Sequence, residues 1–369
     1  MEFVQAIKRA MQLSRKGDKI AVLPPHGGLP SRIAVVKPGL WISILIDTEI
    51  ESPGFAITVA DLQGALKGSK PLSWILHRTL GIPIKLAFTS VLAQQQVPVV
   101  PLTQLNEWAP PFPATELKPF EGVEHILSVL HATVEDELRP EFGCVALASD
   151  GTYAGDEAQL TRAPPVKCAG LGLGLGPAML VQADAFQKWP TWGHFYAYHA
   201  NQRLYFWNGD ELRVVALPQL TWWPAALAHG LLEAPKSCAV FHVPRSALIE
   251  PFKVAKRIAE RRLVAIGYSR TPAEHRVWMR IGEIVTWLPK SYSAFYASDL
   301  PSHQVVLDGC RLLEILKALE GDEVQLELPD NPRSPVRFAR LVPPIASCHA
   351  FEGTTVEALW PLLDHEKGP

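Results

Sequence analysis

The sequence lacks the long apolar runs that place proteins in membranes or direct them to export. No run approaches the ~18 consecutive apolar residues that a transmembrane helix needs. Segment 1–19 mixes charged with apolar residues from its start, whereas a signal peptide has an unbroken apolar core. We therefore expect a cytoplasmic protein.

Cysteine is also scarce. The five cysteines stand singly and form no CxxC pair, so their spacing suits neither a zinc site nor a disulfide framework. We expect buried free thiols at these positions. The cysteines are Cys144, Cys168, Cys238, Cys310 and Cys348.

An excess of positive charge is absent as well. Lys and Arg total 35 while Asp and Glu total 37, which gives a net charge of -2. Such a chain has no overall attraction to nucleic acid, so a polyanion-binding surface must come from the placement of charges. Hydrophobic residues make up 48% of the chain, which is enough apolar material for two or three packed domains.

Motifs for catalysis, cofactors and metals are missing too. Segment 170–176 alternates Gly with Leu and lacks the spacing of a nucleotide-binding loop, so we expect a plain loop or a glycine-weakened strand. His26-Gly27-Gly28 resembles an oxyanion loop, but no GxSxG elbow accompanies it, which favours an exposed turn. No HExxH motif occurs. We expect no enzymatic activity, no cofactor and no metal. A hydrolase is an alternative only if its catalytic residues are distant in sequence and meet in the folded protein.

An internal repeat organises the chain. Each third follows the same order, in which an amphipathic helix and two extended runs precede a short helix and further strands, with proline-rich stretches at the joints. This order predicts an α+β fold with three domains. Their expected bounds are 1–113, 114–236 and 237–369.

Three segments carry a resemblance to a known family. The stretch Leu313–Arg337 contains a helix ending in Leu-Lys-Ala-Leu, a strand of alternating charged and apolar residues, and a turn ending in Ser-Pro-Val. It resembles the last domain of the bacterial DNA polymerase III beta sliding clamp. Weaker similarity lies at Glu137–Leu147 and Ile57–Leu66.

The resemblance implies a particular architecture and role. It implies three DNA-clamp domains, each built from two βαβββ half-domains, with sheets outside and helices lining a ring that a head-to-tail homodimer closes. The implied function is that of a processivity factor that encircles double-stranded DNA without sequence preference. The implied partners are a DNA polymerase and a clamp loader, which bind through short peptides.

A clamp needs basic side chains on its pore helices. The strongest basic cluster lies on the predicted helix 244–262, and three other predicted helices add smaller sets, whereas the second domain offers His125 and His131 instead. For any one helix, a merely solvated basic face is an alternative interpretation. The candidate DNA-binding residues are Lys8, Arg9, Arg15, Lys16, Lys67, Lys70, Lys253, Lys256, Arg257, Arg261, Arg311 and Lys317.

The partner pocket of the family has one wall with a Thr-Asp-Gly-His-Arg-Leu motif. At that place this chain reads Gly-Asp-Glu-Ala-Gln-Leu over 155–160, and its C-terminal segment 353–369 departs from the family pattern with a helix-like apolar set. Because this pocket motif is altered, an alternative function is that of an adaptor or inhibitor protein derived from a clamp. The resemblance implies pocket residues Phe142, Gly155, Asp156, Gln159, Leu160, Trp222, Trp223, Ala350 and Phe351.

Overall fold

The computed structural model describes most of the chain. The described residues are 1–26, 28–67, 71, 73–91, 93–103, 107–108, 112–113, 115–156, 158–173, 178–190, 192–218, 237–255, 263–331, 334–340 and 356–359. They form two units. Unit 1 contains 1–121, 167–172 and 184–219, and unit 2 contains 122–166, 173–183 and 220–369.

Five α-helices and twenty-five strands make up the described chain. The helices are α1 (Phe3–Leu13), α2 (Val59–Leu66), α3 (Val123–Val129), α4 (Arg245–Ala255) and α5 (Gly309–Ala318). The strands of the first half are β1 (Lys19–Leu23), β2 (Arg32–Lys37), β3 (Leu40–Leu45), β4 (Phe55–Thr58), β5 (Ser73–Thr79), β6 (Ile82–Thr89), β7 (Gln94–Pro98), β8 (Val100–Pro101), β9 (Lys118–Phe120), β10 (Cys144–Leu147), β11 (Thr152–Gly155), β12 (Gln159–Ala163) and β13 (Met179–Gln182). Those of the second half are β14 (Phe195–Ala200), β15 (Arg203–Trp207), β16 (Glu211–Ala216), β17 (Cys238–Pro244), β18 (Leu263–Arg270), β19 (His275–Ile281), β20 (Ile284–Leu288), β21 (Tyr292–Tyr296), β22 (Ser302–Asp308), β23 (Glu323–Pro329), β24 (Val336–Arg340) and β25 (Val356–Leu359).

Unit 1 is built on two antiparallel sheets. The larger has nine strands in the order β8-β4-β1-β2-β3-β16-β15-β14-β9, and the smaller is β5-β6-β7. Helix α1 forms because its apolar residues recur every three or four positions, and this stripe is buried while Lys8 on the opposite side is exposed. Phe3 at its start stacks on Trp74 of β5 with ring centroids 4.0 Å apart.

Unit 2 also contains two sheets. The nine-stranded sheet runs β13-β10-β11-β12-β25-β24-β23-β17-β21, and the four-stranded sheet runs β20-β19-β18-β22. Helices α4 and α5 contribute Leu248, Leu312 and Ile315 to a core shared with strands of both sheets. Helix α5 begins where the Asp308 side chain accepts hydrogen bonds from the Cys310 and Arg311 N–H groups at 2.8 and 3.1 Å, which is a standard N-cap.

The order of elements repeats, as the sequence predicted. A strand, a helix and three strands recur as β4-α2-β5-β6-β7, β9-α3-β10-β11-β12, β17-α4-β18-β19-β20 and β22-α5-β23-β24-β25. Helix α1 precedes β1–β3 in the same way, and a 3-10 helix at Ala183–Phe186 stands between β13 and β14–β16. The α+β class is thereby confirmed, whereas the bounds of the three domains stay a prediction.

Two local expectations were wrong. Cys144 and Cys238 are buried free thiols as expected, but Cys310 is exposed and Cys168 is half-buried. The apolar set after 353 suggested a helix, but Val356–Leu359 forms β25 and pairs with both β12 and β24. Alternating side chains of a strand can bury one apolar face as well as a helix can, so a short apolar segment does not distinguish the two.

Candidate functional site

Exposed cations lie on helix α1 and in the turn that follows it. Lys8 lies on the solvent side of the helix, and Arg15 and Lys16 follow its last turn, all three exposed. The Arg15 N–H donates to the Asp18 carboxylate at 2.6 Å, which fixes the turn that carries these side chains. These three cations are therefore open to solvent.

Arg9 has a different setting. Its Nε donates to Glu211 Oε2 at 3.0 Å and its Nη2 donates to the Lys188 carbonyl oxygen at 2.6 Å, and its guanidinium lies over the Trp192 ring at 5.6 Å. The side chain is only 12% exposed. Arg9 therefore anchors α1 to the protein, and its charge is compensated internally.

Glu211 is the centre of a buried charge network that no sequence pattern predicted. Its Oε1 accepts from Arg213 Nε and Nη2, both at 2.7 Å. Arg213 also donates to the carbonyl oxygens of Ala185, Gln187 and Lys188. Burial lowers the Arg213 pKa, and the neighbouring Glu211 carboxylate opposes that shift.

Other predicted cations are partly described. Lys67 follows α2 and Lys317 lies in the last turn of α5, and both are exposed. Lys253 is exposed on α4, where its Nζ lies 2.5 Å from Glu250 Oε1. Lys70, Lys256, Arg257 and Arg261 lie outside the described residues.

Helix α3 carries no Lys or Arg. His125 is half-buried, its Nδ1 lies 3.2 Å from the Pro165 carbonyl oxygen, and its Nε2 lies 3.8 Å from Glu124. Glu124 in the first turn stabilises the helix through the macrodipole but makes this helix a poor surface for phosphates.

The structure brings two residues together that the sequence had assigned to separate sites. Arg311 in the first turn of α5 holds Asp156 between β11 and β12, with Nη1 2.8 Å from Oδ1 and 2.7 Å from Oδ2. Oδ1 also accepts the N–H groups of Ala158 and Gln159 at 2.8 and 2.9 Å. The positive charge of Arg311 is thus neutralised by the Asp156 carboxylate.

Three of the remaining described pocket residues belong to the same turn or the strands beside it, and Phe142 lies in the 3-10 helix Pro140–Gly143. Gly155 has no room for a side chain, since a Cβ there would lie 2.3 Å from the Gln159 carbonyl oxygen. Leu160 and Gln159 are buried in β12, and Gln159 pairs in register with Leu359 of β25. Phe142 is half-buried under the Arg139 guanidinium, 5.5 Å away. Trp222, Trp223, Ala350 and Phe351 lie outside the described residues.

Neither a metal cluster nor a membrane helix is found in the part of the chain that the structure describes. No group of three or more His, Cys, Asp or Glu side chains there could hold a metal ion. No helix there is long and apolar enough to cross a bilayer.

Solved bacterial clamps resemble this chain over nearly its whole length. The DNA polymerase sliding clamp from Bacillus subtilis matches with a TM-score of 0.73 at 13% identity, covering 98% of this chain and 96% of that one. The DNA polymerase III beta-subunit sliding clamp from Bartonella birtlesii matches with 0.75 at 12% identity, covering 98% and 97%. The DNA polymerase III beta subunit from Thermotoga maritima matches with 0.72 at 12%, covering 98% of each.

These matches define the class of fold. The chain has the bacterial DNA sliding-clamp fold, which confirms what the resemblance at Leu313–Arg337 indicated. Within that fold it is a divergent sequence, because its identity to these three structures is 12–13%. No family model and no curated protein matches it.

Proposed function

We propose that this chain is a DNA sliding clamp, a ring-shaped homodimer that encircles duplex DNA and tethers a replicative polymerase. It performs no covalent chemistry. The observation that carries the proposal is the clamp fold over 98% of the chain together with the pairing of its closing strands.

The last strand of each half-domain supports a ring. Strand β3 pairs with β16, and β12 pairs with β25, so four of the six closing strands find partners within the chain. Strands β7 and β20 each end their sheet and have no outer partner among the described residues. The free backbone N–H and C=O groups of an unpaired sheet edge can pair with a strand of another chain. A second copy placed head to tail would pair β7 of one molecule with β20 of the other.

The side chains on β20 favour burial against another chain. Val285 and Trp287 are 51% and 53% exposed. Large apolar side chains on a free sheet edge promote aggregation of a monomer, whereas their burial stabilises the interface of a dimer.

The exposed cations support DNA binding without sequence readout. Lys8, Lys16, Lys67 and Lys317 carry flexible ammonium groups at or near helices of the clamp fold. Such groups contact phosphates and release counterions, so binding weakens as salt increases. Their contacts carry no sequence information, which suits a protein that slides.

A pocket at the Asp156 turn would bind peptides of a polymerase and a clamp loader. Arg311 and the N–H groups of Ala158 and Gln159 hold the Asp156 carboxylate in place before a peptide arrives. A preorganised wall of this kind lowers the entropy cost of peptide binding.

The altered motif at 155–160 favours one second candidate. A clamp-derived adaptor or inhibitor would bind replication proteins without being loaded onto DNA. Primer extension on a primed circular template by a polymerase and loader from the same source separates the two, because only a loaded clamp raises the length of the products.

The first experiment is a mass measurement. The chain has a mass of 40.7 kDa, and light scattering should give twice that value at micromolar concentrations. Replacing Trp287 and Val285 with Asp should give a folded monomer that fails to stimulate primer extension. A monomeric mass for the unmodified protein under these conditions would contradict the ring.

The second experiment tests the DNA surface. Charge reversal at Lys253, Lys256 and Arg257 should weaken retention on DNA and lower its dependence on salt while the fold stays intact. Reversal at exposed Lys167, which lies on none of the helices, is the matched control. Unchanged retention in the triple variant would refute the assignment of α4 and the residues after it to DNA binding.

A further inference from the structure

Two cationic side chains and a histidine meet at one end of the four-stranded sheet of unit 2. Arg270 ends β18 and His275 begins β19, and the two residues pair in register across the hairpin. Lys290 lies between β20 and β21. Arg270 and the turn 271–274 are exposed, and His275 and Lys290 are half-buried, so a solute reaches all three side chains directly from solvent.

Two side chains of β21 hold this group together. Lys290 Nζ donates to Ser293 Oγ at 3.4 Å, and His275 Nδ1 lies 3.2 Å from the same oxygen. The Arg270 guanidinium lies over the Phe295 ring, 4.6 Å from its centroid. The His275 ring meets that ring edge to face, with centroids 4.8 Å apart. Arg270, His275 and Lys290 are therefore positioned before any ligand binds.

The direction of the hydrogen bonds leaves donors for a ligand. An ammonium group can only donate, so Ser293 Oγ accepts from Lys290, and the Ser293 hydroxyl can donate to His275 Nδ1. Burial, and next the positive charges of Lys290 and Arg270, lower the His275 pKa below its ordinary value of 6.5, so the ring is neutral at neutral pH and can accept this bond. A neutral ring that accepts at Nδ1 carries its proton on Nε2, which is then a donor.

No described carboxylate neutralises this group. Arg270 and Lys290 form no ion pair with any described residue, and Arg270 Nη1 donates instead to the Ser298 carbonyl oxygen at 3.0 Å. Glu274, which precedes His275 in the sequence, lies with its Oε2 2.7 Å from Arg276 Nε. Like charges that are held close together repel each other, and a bound anion would remove this repulsion.

We propose that Arg270, His275 and Lys290 bind a dianionic phosphate group, either free phosphate or the phosphate of a monoester. A monoester phosphate carries up to two negative charges and three terminal acceptor oxygens, which match two cations and an imidazole donor. A phosphodiester has one charge and two free oxygens, so it uses fewer of these donors. The site lies within unit 2 and does not depend on the proposed clamp role.

Isothermal titration of the full chain at constant ionic strength and mildly alkaline pH tests the site. Sodium phosphate represents the free anion, glycerol phosphate the monoester, and dimethyl phosphate the diester of nucleic acids. We expect one site per chain for phosphate or glycerol phosphate, and the tighter of the two identifies the source of the group. Dimethyl phosphate should bind about tenfold more weakly, because it forms fewer charge-assisted hydrogen bonds. Equal affinity for dimethyl phosphate, or no binding of either dianion, would overturn the proposal.

Variants locate the binding. Arg270→Gln and Lys290→Gln should each weaken the dianion about tenfold or more, because each removes a charged donor. The matched control is Arg276→Gln. Arg276 lies on the same hairpin, but the alternation of side chains along β19 puts it on the other face of the sheet, over the Trp287 ring at 5.4 Å. Its replacement should leave the affinity unchanged.

Ser293→Ala tests the positioning of the donors without removing a charge. It deletes the oxygen that holds Lys290 and His275, so the dianion should bind several-fold more weakly. This variant and Lys290→Gln serve if Arg270→Gln fails to fold. Unchanged affinity in Lys290→Gln and Ser293→Ala, or an equal loss in Arg276→Gln, would show that the phosphate binds elsewhere and would overturn the assignment.

Discussion

Glu211 should be one of the least replaceable residues of the chain. Its carboxylate serves two guanidinium groups, Arg213 at 2.7 Å and Arg9 at 3.0 Å, and its side chain is 1% exposed. The variant Glu211→Gln keeps the shape and removes the charge, which leaves Arg213 buried without a counterion. Breaking a buried pair from one side costs about 3–5 kcal/mol, so we expect a loss of about 3 kcal/mol in the free energy of unfolding.

Urea unfolding at neutral pH measures this loss, with a matched exposed pair as the control. Arg276 and Glu274 lie 2.7 Å apart, like the Glu211 pair, but both side chains are 55% exposed. Glu274→Gln should therefore cost less than about 1 kcal/mol. The double variant Glu211→Met/Arg213→Met should cost less than Glu211→Gln, because it leaves one guanidinium, that of Arg9, without the carboxylate instead of two. Equal losses in Glu211→Gln and Glu274→Gln would refute the reasoning.

Three further predictions concern other parts of the molecule. Gly267→Ala should lower the free energy of unfolding by about 1–3 kcal/mol, because the new Cβ would lie 2.6 Å from the Trp278 ring; an unchanged urea midpoint would contradict this. Burial lowers the His242 pKa below its ordinary value of 6.5, so the unfolded chain binds a proton at a higher pH than the folded chain does. The free energy of unfolding should therefore fall as the pH drops below about 6.5, and His242→Gln should remove this part of the pH dependence. Identical pH profiles of stability for the variant and the unmodified protein would contradict this prediction. Arg311→Gln should leave DNA retention and its salt slope unchanged, because Asp156 already neutralises that charge; a retention loss equal to that of Lys8→Glu in the same DNA-release assay would contradict this.

The sequence predicted what depends on neighbours along the chain. Helix α5 and the strand that follows it could be predicted because both fall largely within the stretch Leu313–Arg337, where local patterns indicate them. The recurring order of strands and helices could be found for the same reason, since it is a pattern of local periods.

Contacts between segments that are distant in the sequence could not be predicted from local patterns. Arg9 and Glu211 are 202 positions apart, and Arg311 and Asp156 are 155 apart, so no local period or spacing connects them. The sequence consequently placed Arg9 and Arg311 on a free basic surface, whereas the structure gives each an internal carboxylate partner. A count of basic residues on a helix cannot separate cations that face solvent from cations that hold the fold together.

The pairing of β12 with β25 shows a similar limit. Both strands are short and mix apolar with polar residues, and β25 follows β12 by nearly 200 positions. Their register, with Gln159 opposite Leu359, depends on which edges remain free after the other strands have paired. Sequence patterns alone do not determine that order.

Retention on circular against linear DNA tests the central claim most directly. A labelled protein is loaded onto nicked circular duplex by its polymerase's loader, isolated by gel filtration, and followed before and after a single cut in the circle. A closed ring that slides should stay on the circle and leave soon after the cut, since only topology holds it. Equal lifetimes on circular and linear DNA would mean that local contacts hold the protein, and the sliding-clamp account would be wrong.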